Sequence, residues 1–304
     1  MCGIAGFFDK TGDNRNCNVG HVLMAMLKGL ACRGPDSTGV ALFAQRGDHQ
    51  VILRVKLGEE EDSPARLRAL AQLLDSELAN HYELSTEGSS ARLVVNRAVD
   101  VRALVARIEA LGKDTEVISV GQNLEIMKQV GSPEHLEEAY DVSRRTGTHG
   151  LGHTRLSTES KVDLSHSQPF GSHQAPDLAI VHNGHITNYH QLRRVYEQRR
   201  VRFYTENDSE VVAIFLADQL TQGSTLKEAL EAMLVKLDGS FSCLVATANE
   251  FGFVKDPFAL KPLLWAETES FAALANEEIA IRSALPGDYE VREAQAREVR
   301  IWQR

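Results

Sequence analysis

The sequence predicts a layered α+β fold with a ferredoxin-like α/β unit inserted into it. After residue 150, strands are grouped on either side of helical segments, and the strict β-α-β alternation of a Rossmann sheet is largely missing. Between residues 50 and 122, the apolar spacing follows the order β-α-β-β-α-β, which is typical of a ferredoxin-like unit.

The individual elements follow from apolar periodicity and turn residues. A small, apolar strand is predicted at 2–8, and a helix at 21–31 that the turn at 33–36 ends. In the inserted unit we predict strands at 51–55, 92–95 and 117–120, helices at 64–78 and 101–111, and a further strand within 81–90. Later helices are predicted at 133–145, 187–199, 208–219 and 226–237, and strands at 178–182, 241–247, 251–255 and 263–267. The dipeptide Asn183-Gly184 is predicted to form a turn after the strand at 178–182.

Length and composition exclude several classes of protein. The 304 residues are 43% hydrophobic, enough for the core of one large domain or of one domain with an insertion. A net charge of −9 argues against a nucleic-acid binder, which would show a basic face. We find no leader pattern, no stretch long and apolar enough to cross a membrane, and no C-x-x-C pair. We therefore expect a cytoplasmic protein that binds neither nucleic acid nor a membrane.

Histidines are frequent between residues 149 and 190, which raises the question of a metal site. They form no H-x-x-x-H helix, and no Cys or Asp accompanies them at ligand spacing. We therefore predict no metal.

Cys2 becomes the first residue once Met1 is removed, and we expect that removal because the cysteine side chain is small. The exposed residue then carries a thiol and an α-amine, whose pKa of roughly 7.7–8.0 leaves a neutral fraction that can accept the thiol proton. A cysteine at position 2 is, on its own, more often an ordinary buried strand residue. The interpretation as a nucleophile therefore depends on the segments that follow.

The start of the chain and several later segments resemble the motifs of class II glutamine amidotransferases, in that family's order. The segments are MCGIAG (1–6), CRGPDSTG (32–39), GHTRLST (152–158), HNG (182–184), TENDSE (205–210) and DPFALKPL (256–263). The resemblance implies a four-layer αββα N-terminal-nucleophile hydrolase fold over residues 1–304, interrupted by the ferredoxin-like insertion at 50–122.

The resemblance also implies the catalytic roles. The Cys2 thiolate would attack the carboxamide of glutamine, release ammonia and form a thioester. The oxyanion of the tetrahedral intermediate would be stabilised by the Asn183 side chain and the Gly184 backbone N–H. Without the other motifs, we would interpret Asn183-Gly184 as a hairpin turn only.

Glutamine also presents an α-carboxylate and an α-ammonium, and the resemblance implies a residue for each. The planar guanidinium of Arg155 can bind the carboxylate through two hydrogen bonds, and Asp208 suits the ammonium. Thr158 would be a hydrogen-bonding neighbour. Arg33 and Asp36 would support the turn beside the site.

The recipient of the ammonia is expected to be another polypeptide, since the sequence shows no synthase segment after the glutaminase motifs. The long insertion, the segment EIMKQVG (125–131) and the variant GHTRLSTES (152–160) resemble stand-alone glutaminase subunits of the glutamate-synthase type. The A subunit of N-methylglutamate synthase belongs to this group. The resemblance implies a hetero-oligomer with glutamate-synthase-like subunits, with FMN and iron–sulfur clusters on those partners and no cofactor in this chain.

Two other functions remain open from the sequence. The same site could belong to a stand-alone amidohydrolase acting on γ-glutamyl compounds. The chain could also be a non-catalytic, glutamine-sensing subunit, although the joint presence of Cys2, Arg155, Asn183, Gly184 and Asp208 argues against a decayed site.

Overall fold

The structure, a computed structural model, describes residues 2–12, 17–45, 49–58, 63–79, 81–157 and 161–304. Its strands are β1 (Gly3–Asp9), β2 (Ser37–Phe43), β3 (Gln50–Leu57), β4 (Tyr82–Glu87), β5 (Ser90–Asn96), β6 (Thr115–Gly121), β7 (Leu124–Val130), β8 (His149–Arg155), β9 (Phe170–Ser172), β10 (Ala175–Ile186), β11 (Gly239–Ala246), β12 (Glu250–Lys255), β13 (Leu264–Glu267), β14 (Phe271–Ala275), β15 (Val291–Glu293) and β16 (Val299–Gln303). Its helices are α1 (Val19–Gly29), α2 (Ser63–Leu78), α3 (Val101–Glu109), α4 (Pro133–Tyr140), α5 (Tyr189–Gln198), α6 (Asp208–Thr221), α7 (Leu226–Lys236) and α8 (Glu278–Ala284).

Two antiparallel sheets pack face to face and form the centre of the fold. One has the strand order β15-β13-β14-β1-β8-β2-β7 and the other β16-β12-β11-β10-β9. Side chains alternate between the two faces of a strand, so β1 sends Ile4 and Phe8 into the core between the sheets and Phe7 to the outer face. Helices α1, α4 and α8 cover that outer face, while α6 and α7 cover the outer face of the second sheet. These layers confirm the predicted α+β architecture.

A third sheet is formed by residues 50–121, which we call the 50–121 unit. Its strand order is β4-β5-β3-β6, with every neighbouring pair antiparallel, and its elements follow the order β-α-β-β-α-β. Helices α2 and α3 bury Leu70, Leu74, Leu104 and Ile108 against this sheet. The division of the chain into a host domain and an insertion stays a prediction.

A buried ion pair connects the 50–121 unit to the seven-stranded sheet. Arg54 on β3 is fully buried, and its guanidinium lies 2.6 Å from the carboxylate of Glu125 on β7. The same carboxylate accepts a 2.9 Å hydrogen bond from Arg92 on β5. Because a charge left unpaired at such depth would be strongly unfavourable, these contacts fix how the two sheets meet.

The predicted turn at Asn183-Gly184 is wrong, because β10 continues through both residues to Ile186. Asn183 pairs with Ser242 of β11, and Gly184 pairs with Phe241. The dipeptide favours a turn only where no partner strand continues beside it, and here β11 does continue.

Helix α4 also ends earlier than predicted, at Tyr140 instead of residue 145. Asp141 adopts a left-handed backbone conformation (φ +47°) that ends the helix, and a short 3₁₀ turn follows at Val142–Arg144.

The longest helix in the described part of the chain is α2, with 16 residues. None of the described helices is long and apolar enough to cross a membrane.

Candidate active site

Cys2 lies immediately before β1, where the two central sheets meet. Its backbone carbonyl accepts hydrogen bonds of 3.3 Å from Arg33 Nε and from Asn183 Nδ2. The thiol lies 3.7 Å from the carbonyl oxygen of Leu156. The predicted nucleophile is therefore held by residues from three distant parts of the sequence.

Asn183 and Gly184 reach Cys2 from β10 of the five-stranded sheet. Gly184 has a φ of +155°, and a Cβ at this position would lie 2.2 Å from the backbone oxygen of Ser240. Only glycine fits here, because the neighbouring strand β11 approaches too closely for any side chain.

Arg155 is the last residue of β8, and its side chain is almost completely buried. Nη1 donates a 2.8 Å hydrogen bond to the carbonyl oxygen of Lys161. Burial lowers the pKa of Arg155, while the nearby Cys2, Asp163 and Asp36 act in the opposite direction. An arginine remains a cation under such conditions, so it supplies a fixed positive charge beside Cys2.

Asp208 is the first residue of α6, which Asn207 caps through its side chain. The Asp208 carboxylate accepts a 2.8 Å hydrogen bond from the backbone N–H of Ile186 at the end of β10. The imidazoles of His182 and His185 lie 3.8 and 3.9 Å from the same carboxylate. These contacts fix an acid group at the start of α6.

A cleft of about 330 Å³ brings the predicted residues together. Cys2, Arg155, Asn183, Gly184 and Asp208 all line it. The other lining residues are Leu156, Ser157, Gln168, His182, His185, Tyr189, Glu206, Asn207 and Ser209. The cleft therefore combines a thiol, an amide donor, a cation and a carboxylate, which are the groups needed to bind and attack an amino-acid amide.

Comparison with known proteins supports this chemistry. Residues 153–283 match the family described as the glutamine amidotransferase domain. The chain is 33% identical to a protein of Methanothermobacter thermautotrophicus, with 100% of each chain covered, whose name assigns it provisionally to the glutamine amidotransferases. The chain belongs to the class II glutamine amidotransferase family. It is accordingly an enzyme of this class.

A second relative of this amidotransferase is GlxB of Rhizobium meliloti, named a glutamine amidotransferase-like protein. The two are 34% identical over 91% of this chain and 89% of GlxB.

Two solved structures share the fold, each aligned over 99% of this chain. One is the allosteric regulatory enzyme of purine biosynthesis, with a TM-score of 0.63 and 19% identity. The other is glutamine phosphoribosylpyrophosphate amidotransferase from B. subtilis complexed with ADP and GMP, with a TM-score of 0.62 and 18% identity. The amidotransferase spans about half the length of these two chains (47% and 49%), and at this identity the likeness concerns the fold alone. This likeness confirms the predicted fold class, that of the N-terminal-nucleophile hydrolases.

The predicted supporting residues lie beside the cleft. Arg33 contacts the Cys2 carbonyl and also forms an ion pair with Glu277 at the start of α8. The Asp36 carboxylate accepts a 2.7 Å hydrogen bond from the backbone N–H of Ser157, which lines the cleft. Thr158, predicted to bind glutamine, lies outside the described residues. The roles of Arg33, Asp36 and Thr158 stay predictions.

Sequence reasoning missed a buried hydrogen-bonded network behind Asn183. Gln168 exchanges two hydrogen bonds with the backbone of His182, of 2.6 and 2.9 Å. The His182 ring lies 2.8 Å from the hydroxyl of Ser209 on α6, and burial lowers the pKa of His182. A neutral imidazole here connects β10 to α6. Ser209 lies within the TENDSE motif and so could have been suspected, whereas Gln168 lies outside the recognised motifs.

Proposed function

We propose that this amidotransferase hydrolyses L-glutamine to glutamate and ammonia through a thioester on Cys2, and passes the ammonia to a separate synthase subunit. The observation that supports this proposal best is the single cleft lined by Cys2, Asn183, Arg155 and Asp208. A thiol, a cation and a carboxylate in one cleft match a substrate that carries a reactive amide and a zwitterionic end.

Substrate binding follows from the two charges. The Arg155 guanidinium binds the α-carboxylate of glutamine, and its burial strengthens the interaction by reducing the solvent screening. Asp208, held in place by the Ile186 N–H, binds the α-ammonium. With the α-carboxylate and the α-ammonium both held, the side-chain amide of glutamine is directed towards Cys2. This orientation lowers the barrier to attack.

The chemical step begins with transfer of the thiol proton to the free α-amine of Cys2. The thiolate forms a C–S bond to the carboxamide carbon while the carbonyl electron pair moves to oxygen. Asn183 Nδ2 and the Gly184 N–H donate hydrogen bonds to this oxyanion. When the carbonyl re-forms, the C–N bond breaks, and the proton held by the α-amine passes to the leaving nitrogen to give ammonia.

Water then completes the cycle. It attacks the thioester carbonyl, the α-amine again acts as the base, and the same donors stabilise the second oxyanion. Collapse breaks the C–S bond, releases glutamate and restores the Cys2 thiol. The amidotransferase needs no metal or cofactor of its own for either half of this reaction.

The proposed destination of the ammonia is a glutamate-synthase-like or N-methylglutamate synthase complex in the cytoplasm. Support comes from the resemblance of the 125–131 and 152–160 segments and of the long insertion to stand-alone glutaminase subunits. In such a hetero-oligomer, FMN and iron–sulfur clusters belong to the partner subunits.

The first experiment measures glutamate and ammonia released from glutamine by the wild type and by Cys2→Ala. We expect equimolar products from the wild type and none from Cys2→Ala. Cys32→Ala serves as the matched control, because Cys32 is exposed and does not line the cleft. A wild type that releases no glutamate, alone or with its co-purified partners, would contradict the proposal.

The second experiment is native mass spectrometry of the complex isolated from the source cells. Co-purifying flavin- and iron–sulfur-containing subunits would support the synthase complex. A chain that is isolated alone and cleaves γ-glutamyl peptides better than glutamine would instead identify a stand-alone amidohydrolase.

A further inference from the structure

Two segments of the chain form walls of the cleft outside the central strands. The first cleft segment, residues 161–169, contributes Gln168 to the cleft. The second cleft segment, residues 199–207, contributes Glu206 and Asn207. The geometry of the glutamine site therefore depends on how these two segments are held.

The two cleft segments contact each other directly. Asn207 Nδ2 donates a 3.4 Å hydrogen bond to the carbonyl oxygen of His166, and His166 Nε2 lies 3.6 Å from the Glu206 carboxylate. A displacement of either segment would thus be transmitted to the other and to the cleft.

The 50–121 unit holds the first cleft segment at Ser165. The Ser165 hydroxyl accepts a 3.0 Å hydrogen bond from Lys56 Nζ on β3 and donates one of 2.5 Å to the Glu116 carboxylate on β6. All three side chains are at least nine-tenths buried. Hydrogen bonds to charged groups at such depth are strong, since water does not compete for them.

The same unit holds the second cleft segment through Glu109, the last residue of α3. The buried Glu109 carboxylate accepts a 2.6 Å hydrogen bond from the hydroxyl of Tyr204 and a 2.8 Å hydrogen bond from Arg202 Nη1. Burial and the hydrogen bond to Glu109 both raise the pKa of Tyr204, so its hydroxyl stays protonated and donates. The 50–121 unit thus contacts both cleft segments, the first through Glu116 and the second through Glu109.

We propose that the 50–121 unit is a positioning element for the substrate of this enzyme, with Ser165 and Tyr204 as its positioning residues. This inference rests on the proposed glutamine hydrolysis. None of the described residues of the unit lines the cleft; the unit fixes the walls that carry Gln168, Glu206 and Asn207. Its contribution is therefore to glutamine binding and not to the chemistry at Cys2.

The test uses Ser165→Ala and Tyr204→Phe, each of which removes one hydroxyl. We expect each to raise the KM for glutamine about tenfold, the equivalent of one lost hydrogen bond to a charged group, while kcat changes by less than about twofold.

The matched controls lie inside the 50–121 unit, away from the cleft segments. Tyr82→Phe removes a 2.7 Å bond to Asp75, and Ser76→Ala removes a 2.8 Å bond to the Leu73 carbonyl. Neither control should change the KM.

A conservative replacement separates positioning from general folding. Glu109→Gln keeps an acceptor for the Tyr204 hydroxyl, whereas Glu109→Ala removes it. The KM should therefore rise less in Glu109→Gln than in Glu109→Ala. Equal values for the two Glu109 variants would count against the proposal.

A second measure of glutamine affinity uses alkylation of Cys2 by iodoacetamide. We expect glutamine to protect Cys2 in every variant, but at about tenfold higher concentration in Ser165→Ala and Tyr204→Phe than in the wild type. Unchanged KM and unchanged protection in both variants would overturn the positioning role while leaving glutamine hydrolysis intact. Failure of the wild type itself to hydrolyse glutamine would instead be a failure of the proposed function.

Discussion

The side-chain amide of Asn183 donates a 3.3 Å hydrogen bond to the backbone carbonyl of Cys2, joining residues 181 positions apart. One residue belongs to β10 of the five-stranded sheet and the other directly precedes β1 of the seven-stranded sheet. The amide donor and the thiol are thereby held in one place by the packing of two sheets, which is the preorganisation that oxyanion stabilisation requires.

Replacement of Asn183 by alanine should lower kcat for glutamine hydrolysis by about 10²–10³-fold, because one oxyanion donor is lost. The KM should change much less, since the donor acts mainly in the transition state. Asn188→Ala is the matched control: Asn188 bonds the backbone of Lys236 and Asp238 and does not line the cleft. A larger effect on KM than on kcat in Asn183→Ala would assign the residue to substrate binding instead.

Asp208→Asn should raise the KM for glutamine by about ten- to a hundredfold, since it removes the charge that binds the α-ammonium. Asparagine retains an acceptor for the Ile186 N–H, so the start of α6 should stay in place. Asp218→Asn on the same helix is the control. It breaks an ion pair with Arg199 outside the cleft and should affect stability but not KM. An unchanged KM in Asp208→Asn would remove Asp208 from the substrate-binding set.

Gly184→Ala should destabilise the fold by about 3 kcal/mol or more, because both backbone strain and overpacking oppose a Cβ here. The backbone contribution can be isolated with Gly223→Ala, where φ is +94° but a Cβ would meet no described atom within 4 Å. That variant should lose only about 1 kcal/mol. Urea unfolding of both variants provides the comparison, and equal losses would show that the approach of β11 is not tight.

Acid should destabilise the protein through His153, which is fully buried on β8. Neither of its ring nitrogens has a hydrogen-bond partner in the described part of the chain, and burial lowers its pKa to about 3. The unfolded chain binds the proton more readily than the native protein does. The free energy of unfolding is therefore unaffected by His153 titration above a pH of about 6.5. It falls progressively as the pH is lowered from there towards about 3.

The measurement is the free energy of unfolding in urea between pH 7 and pH 4, for the wild type and His153→Leu. Below about pH 6 the wild type should lose up to about 1.4 kcal/mol per pH unit more than the variant does. Parallel pH profiles would show that His153 does not remain neutral in the native protein.

Much of the fold could be predicted from the sequence because it depends on local pattern. The small, apolar run at residues 2–8 predicts β1, and the helix predicted at 208–219 is α6, which Asn207 caps. The sequence predicts a turn at Asn183-Gly184 because the turn preference of this dipeptide is local and does not depend on neighbouring strands. Only the pairing with β11 shows that β10 continues.

The site was predictable where recognisable motifs carry it and not elsewhere. Cys2, Arg155 and Asp208 lie in such motifs, and the structure brings them into one cleft. Gln168 and Ser165 lie in no recognised motif. Their contacts with β10 and with the 50–121 unit arise only when distant segments pack together.

The central claim is that the thiol of Cys2, at a free amino terminus, becomes acylated by glutamine. Rapid acid quench of the wild type during turnover, followed by mass spectrometry of the N-terminal peptide, tests it directly. We predict a peptide that begins at Cys2 without Met1 and carries one glutamyl group on sulfur, and no adduct in Cys2→Ala. Active protein that retains Met1, or an adduct on another residue, would contradict the account.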